Sequence, residues 1–163
     1  MKPLAPLLPA LLLAAPLAAQ PLTPRPAGPE HLASAALDSA ARHSPEKLPQ
    51  PLSGRVLGNR GPYTYLVLRR TGDGQAEVHA DWDDVMVVRE GAATLLYGGE
   101  VRGGAEQEAG EHRGGEIVGG TRQPLAAGDM MVIPAGVPHQ VLVPEGGAIT
   151  YAVIKVRKRV GPM

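Results

Sequence analysis

The sequence predicts an all-β fold, an antiparallel sandwich or barrel, and three observations carry that expectation. Short β-prone runs recur from residue 54 almost to the C-terminal end, separated by turn residues. Gly (21) and Pro (17) are abundant among 163 residues, well above ordinary usage of about 7% and 5%. No long stretch shows the helical period of an amphipathic bundle. Phe and Cys are absent and there is one Trp, so Val, Leu, Ile and Ala must fill the core and no disulfide can staple it. Sixteen basic residues balance sixteen acidic ones, which argues against a nucleic-acid footprint or a polybasic membrane patch.

Residues 1–19, "MKPLAPLLPALLLAAPLAA", begin with a positive Lys2 and continue as an apolar run broken by prolines. The run is too short and too proline-rich for a membrane-spanning helix. It reads as a secretory signal peptide cleaved near Ala18 or Ala19, although Leu17 stands where a small residue is preferred. The expectation is an exported protein, periplasmic or secreted, with no stable membrane anchor after cleavage. Residues 20–53 form a linker and a short helical arm. "QPLTPRPAG" is the linker, and "PEHLASAALDSAAR" (29–42) predicts a helix, with Pro29 suited to its first turn. His31 and His43 are expected to be plain surface residues of this polar region.

A β-domain is expected over residues 54–160. Its strands are "YTYLVLRR" (63–70), "QAEVHA" (75–80), "DVMVVRE" (84–90), "ATLLYG" (92–98), "MMVIPAG" (130–136), "HQVLVPEG" (139–146) and "AITYAVIKVR" (148–157). "TGDG" (71–74) and Gly91 are the separating turn signals. Residues 99–120 are rich in Gly and Glu, with one weak strand near 116–118; Glu111 and His112 are expected in a solvated loop there. "KVRKR" (155–159) reads as a charged end that protects a sheet edge. No Ser–His–Asp order, P-loop or dinucleotide fingerprint is present.

The strongest chemical signal is "GDMMVIPAGVPHQV" (128–141). Gly128-Asp129 makes a turn, Met130 to Ile133 a strand, Pro134-Ala-Gly136 a fixed bend, and His139 opens the next strand. The spacing of Gly128, Pro134, Gly136 and His139 resembles the second motif of the cupin superfamily, in which this His is a metal ligand inside a small β-barrel. The family's first motif is Gly, His-x-His, a Glu and a later Gly. Counting back from Gly91 places Asp84 at the Glu position, His79 at the second His and Glu77 at the first.

The resemblance therefore implies a small antiparallel jelly-roll (cupin) β-barrel with metal ligands Glu77, His79, Asp84 and His139. Residues two apart on a strand share a face, so Glu77 and His79 project together. A rival register takes Asp81 as the partner of His79. Glu77 has an alternative use as an ion-pair partner of Arg69 or Arg70. Asp83, with Asp81, reads as a solvated turn acid, and Trp82, Met86 and Val88 are the pocket-lining candidates. Two histidines and two carboxylates suit a divalent transition metal, Mn, Fe, Ni or Zn. The implied functions are a metal-dependent oxygenase, isomerase or lyase acting on a small oxygen-rich molecule, or a non-catalytic small-molecule or sugar-binding cupin without metal. The resemblance also implies a homodimer formed through the outer sheet.

Overall fold

A computed structural model describes residues 21–43 and 51–158. The expected signal peptide lies outside the described residues. Among the described residues one helix, α1 (Ser34–Arg42), precedes twelve strands. The first four strands are β1 (Leu52–Asn59), β2 (Tyr63–Arg70), β3 (Glu77–His79) and β4 (Trp82–Tyr97). They are followed by β5 (Glu100–Arg102), β6 (Ala105–Glu108), β7 (Glu111–Arg113) and β8 (Glu116–Val118). The last are β9 (Thr121–Ala126), β10 (Met130–Ile133), β11 (His139–Leu142) and β12 (Ile149–Arg157).

Ten of the strands form one curled antiparallel sheet in the order β1-β2-β12-β4-β11-β3-β7-β6, with β9 and β10 also paired to β4; β5 and β8 pair separately. This is the all-β jelly-roll that the sequence predicts. β4 is its hinge. Its first half pairs with β12 and β10, and its second half with β11 and β9.

Gly91 was expected to separate two strands; it lies inside β4 instead. Its φ is +80°, and a Cβ there would stand 2.0 Å from the Ala148 carbonyl oxygen, so only Gly fits the bend. Beside it, β12 pairs Thr150 with Glu90 and Tyr151 with Val88, which leaves Arg89 as an extra residue. Such a bulge reverses strand parity. Asp84, Met86 and Val88 are buried before it, and Ala93 and Leu95 after it.

The core is aliphatic, as the composition requires. Leu66, Leu95, Ile149 and Val67 are its largest fully buried side chains. The interval 99–120 holds four short strands rather than one. Their pattern is mostly exposed or half-buried, so no alternation announces them.

The helix starts at Ser34, later than Pro29, in the Ala-rich stretch with the highest helix propensity. Residues 29–33 precede the helix without regular secondary structure, and Glu30 bonds Arg60 and Tyr65. Arg89 on the bulge holds Ser34 and Asp38 of α1, and Ser53 donates to the Ala41 carbonyl at 2.8 Å. These contacts fasten the arm to the outside of the sheet. No helix among the described residues is long and apolar enough to cross a membrane.

Candidate metal centre

Sheet register brings the site together. His139 pairs directly with Glu77, His79 with Glu111 and Glu77 with Arg113, and Asp84 with Lys155. Directly opposed side chains stand roughly 5 Å apart at Cβ, so these four pairings collect the charged groups of the site apart from Arg70, which reaches Glu77 from β2. The bend before β11 aims His139. Val137 N–H donates to the Pro134 carbonyl at 3.1 Å and Gly136 has φ +83°, a type II turn that requires Gly at its third position. Ala135 N–H donates to Asp83 Oδ1 at 2.7 Å, and Gly136 N–H donates to the His79 carbonyl at 2.8 Å. Asp83 is therefore a half-buried anchor of the bend rather than a solvated turn acid.

Glu77, His79 and His139 each offer a ligand atom within 4.8 Å of the other two. His79 is 3% exposed, and its Nδ1 lies 2.6 Å from Glu111 Oε2. His139 Nδ1 lies 3.0 Å from the Val137 carbonyl oxygen, which can only accept. Each Nδ1 thus carries its proton toward an acceptor, which leaves Nε2 to face the cavity. His79 Nε2 lies 3.4 Å from Glu77 Oε2 and 3.6 Å from Asp84 Oδ2, and His139 Nε2 lies 3.9 Å from the same Asp84 oxygen. Histidine metal ligands are oriented in this way, with the outer nitrogen held by a carboxylate or carbonyl. The donor chemistry of two imidazoles and a carboxylate fits Mn, Fe, Ni or Zn.

Asp84 is placed differently from the other three. Its Oδ1 accepts from Lys155 Nζ at 2.6 Å, and both groups are buried. Lys155 was expected at a charged sheet edge. It follows Ile149, Tyr151 and Val153 on the inward parity of β12, and that parity was the available signal. Glu111 was expected in a solvated loop and is 5% exposed; pairing of β7 with β3 carries it under His79. His112 bonds the Gly103 carbonyl away from the site.

Asp81 is exposed in the turn after β3 and stands outside the donor group. Met86 lines the cavity, Val88 is buried in the core, and Trp82 is not among the lining residues. Arg157 stacks over the Trp82 ring at 5.4 Å. Arg70 rather than Arg69 reaches Glu77, at 3.4 Å, and its Nε donates to Tyr151 Oη at 2.9 Å. Arg113 holds the other Glu77 oxygen at 2.8 Å. His31 and His43 are exposed.

The electrostatics follow from burial and these partners. Burial works against the Glu77 carboxylate, yet the His79 contact and the charges of Arg113, His139 and Arg70 hold its pKa well below the usual range. Burial also disfavours the His79 cation, but bonds to Glu111 and Glu77 outweigh it and raise the pKa. Glu111 is lowered, its burial outweighed by His79, whereas burial dominates at His139 and lowers it. The cavity over these groups is small, about 80 Å³, and opens to solvent, with an apolar floor that includes Leu66, Met86, Leu95 and Val153.

No family model and no curated protein matches the sequence. Solved structures do match the fold. A double-stranded β-helix protein from Klebsiella pneumoniae is 16% identical with a TM-score of 0.54, covering 77% of this chain and 90% of its own. KdgF from Halomonas sp. is 15% identical with a TM-score of 0.52, covering 72% and 91%. The cupin domain of Cnp3 from Schizosaccharomyces pombe is 10% identical with a TM-score of 0.51, covering 70% of each. The chain has the double-stranded β-helix fold of the cupins.

Proposed function

We propose that the barrel holds a divalent transition metal on Glu77, His79 and His139 and binds a small oxygen-rich molecule beside it, with chemistry of the oxygenase, isomerase or lyase type. One observation carries this proposal: both buried imidazoles commit Nδ1 to an acceptor, and their Nε2 atoms face carboxylates of the cavity, His79 Nε2 at 3.4 Å from Glu77 and His139 Nε2 at 3.9 Å from Asp84. Such an ion, when bound, supplies a Lewis acid for a carbonyl or hydroxyl oxygen. The chain's own groups do the rest. Glu111 and the Val137 carbonyl keep the two Nδ1 protons in place, Arg70 and Arg113 fix Glu77, and the aliphatic floor excludes water from the apolar part of the ligand.

Export after cleavage near Ala18 or Ala19 belongs to the same proposal. So does a homodimer through the outer sheet face, supported by the exposed Met130, Val132, Ile154 and Val156. A thermal-shift series tests the metal. Mn, Fe(II), Ni and Zn are each added to the chelator-treated full chain and to His139→Ala. At least one ion should raise the wild-type Tm and leave the variant unmoved; equal responses would contradict the proposal.

A second reading, a metal-free binding cupin, draws on the Lys155–Asp84 pair, in which a protein cation already sits on one carboxylate. It predicts that a sugar or hydroxy acid raises the Tm of the chelator-treated protein as much as that of the metal-treated protein. A ligand shift that appears only with metal would exclude it.

A further inference from the structure

The carboxylates of the cavity are already matched by protein cations. Asp84 is held by Lys155 at 2.6 Å, and Glu77 by Arg113 at 2.8 Å and Arg70 at 3.4 Å. Glu111, behind His79, has Arg113 at 3.7 Å in addition to the imidazole. Three carboxylates therefore face three permanent cations, Lys155, Arg70 and Arg113. All but Arg113 among these six are at most about one-sixth exposed at the side chain. A divalent ion on Glu77 and two neutral imidazoles would then add two positive charges that the protein does not offset. Uncompensated charge is costly in a cavity of low dielectric, and a bound cation becomes the largest local charge.

We propose that Lys155, by neutralising Asp84, reserves the charge of the metal for an anionic ligand, so that the cavity selects a small carboxylate over a neutral molecule of the same shape. This rests on the metal site proposed above and names the class of molecule that site takes. The apolar floor fits the non-polar part of such an acid, and the polar band of His79, His139 and Lys155 its charged end.

Lys155 and Asp84 then act in opposite directions. In Lys155→Met the freed Asp84 charge compensates the metal, so metal affinity rises and carboxylate affinity falls. In Asp84→Asn the lysine charge is left over, so carboxylate affinity rises. Removing both charges together restores the balance.

The test is calorimetry on the full chain in two arms. The first titrates Ni²⁺ into chelator-treated wild type, Lys155→Met, Asp84→Asn and the double variant. The second titrates lactate and the neutral, nearly isosteric lactamide into each Ni²⁺-loaded protein after free metal is removed. Wild type should prefer lactate by at least about ten-fold; opening a charge imbalance at this range should move that preference by a similar factor in each single variant. Lys155→Met should lose the preference, Asp84→Asn should strengthen it, and the double variant should return to the wild-type value. If Lys155→Met does not fold, the Asp84→Asn result decides. Equal binding of lactate and lactamide to the loaded wild type overturns the anion proposal and leaves the metal site standing. If Ni²⁺ does not bind, both arms are run with Zn²⁺, Mn²⁺ or Fe²⁺; a wild type that takes up none of the four, while its circular dichroism shows it folded, overturns the metal site and the anion proposal with it.

Discussion

Glu111→Ala is the most informative single change, because Glu111 acts on the three donor residues only through His79 and, more distantly, Arg113. Its Oε2 lies 2.6 Å from His79 Nδ1, and the two residues are 5% and 3% exposed. Truncation leaves a buried imidazole N–H without its acceptor and frees the ring to turn. Loss of such an outer partner typically weakens metal binding about 10–100-fold, which corresponds to roughly 1.4–2.7 kcal/mol at about 1.4 kcal/mol per decade. An unpaired buried donor also costs roughly 1–3 kcal/mol of folding stability. At about 2–4 °C per kcal/mol for a chain of this size, the Tm of the metal-free protein should fall by several degrees. Glu111→Gln keeps an acceptor oxygen but removes the charge, so its metal affinity should lie between Glu111→Ala and wild type. The assay is calorimetric titration of each full chain with Ni²⁺ or Zn²⁺, with circular dichroism to confirm the fold. Metal affinity of Glu111→Ala within two-fold of wild type would refute the positioning role.

Three further outcomes follow from the packing. Leu95→Ala empties a fully buried position at the centre of the core and should destabilise by about 2–5 kcal/mol in urea unfolding; a loss below 1 kcal/mol would mean the core is not where it has been placed. Gly91→Ala forces a Cβ within 2.0 Å of the Ala148 oxygen at φ +80°, so expression or Tm should drop more than the ~1 kcal/mol of an ordinary Gly-to-Ala mismatch. Trp82→Ala removes a ring stacked under Arg157 and outside the cavity, so metal affinity should stay within about two-fold of wild type, a surface-type change. A larger loss would place Trp82 in the site after all.

The all-β class and much of the site are visible in local pattern. Residues 63–70 coincide with β2, and alternation in 148–157 gives β12. The bend expected at Pro134-Ala-Gly136 is present as a type II turn, and His139, placed inside the barrel by the resemblance, is buried. Gly91 shows the limit of such cues, because a positive φ serves a turn and a mid-strand bend equally. Strands β5 to β8 are two-sided and polar, so they carry no period to read. Glu111 acquires its role only from a strand pairing 32 residues back along the chain, which no local pattern encodes. Lys155 is the instructive case. Its inward parity after Tyr151 and Val153 was present in the sequence, but the basic cluster that follows it masked the alternation.

The metal content of the chain, purified without a chelating tag, tests the central claim most directly. Elemental analysis of wild type beside His79→Ala and His139→Ala should find close to one transition-metal ion per folded wild-type chain and a small fraction of that in either variant. Wild type without stoichiometric Mn, Fe, Ni or Zn, and with a Tm that none of these ions moves, would contradict the account. It would leave Glu77, His79 and His139 as a buried polar network held by Glu111, Arg70 and Arg113.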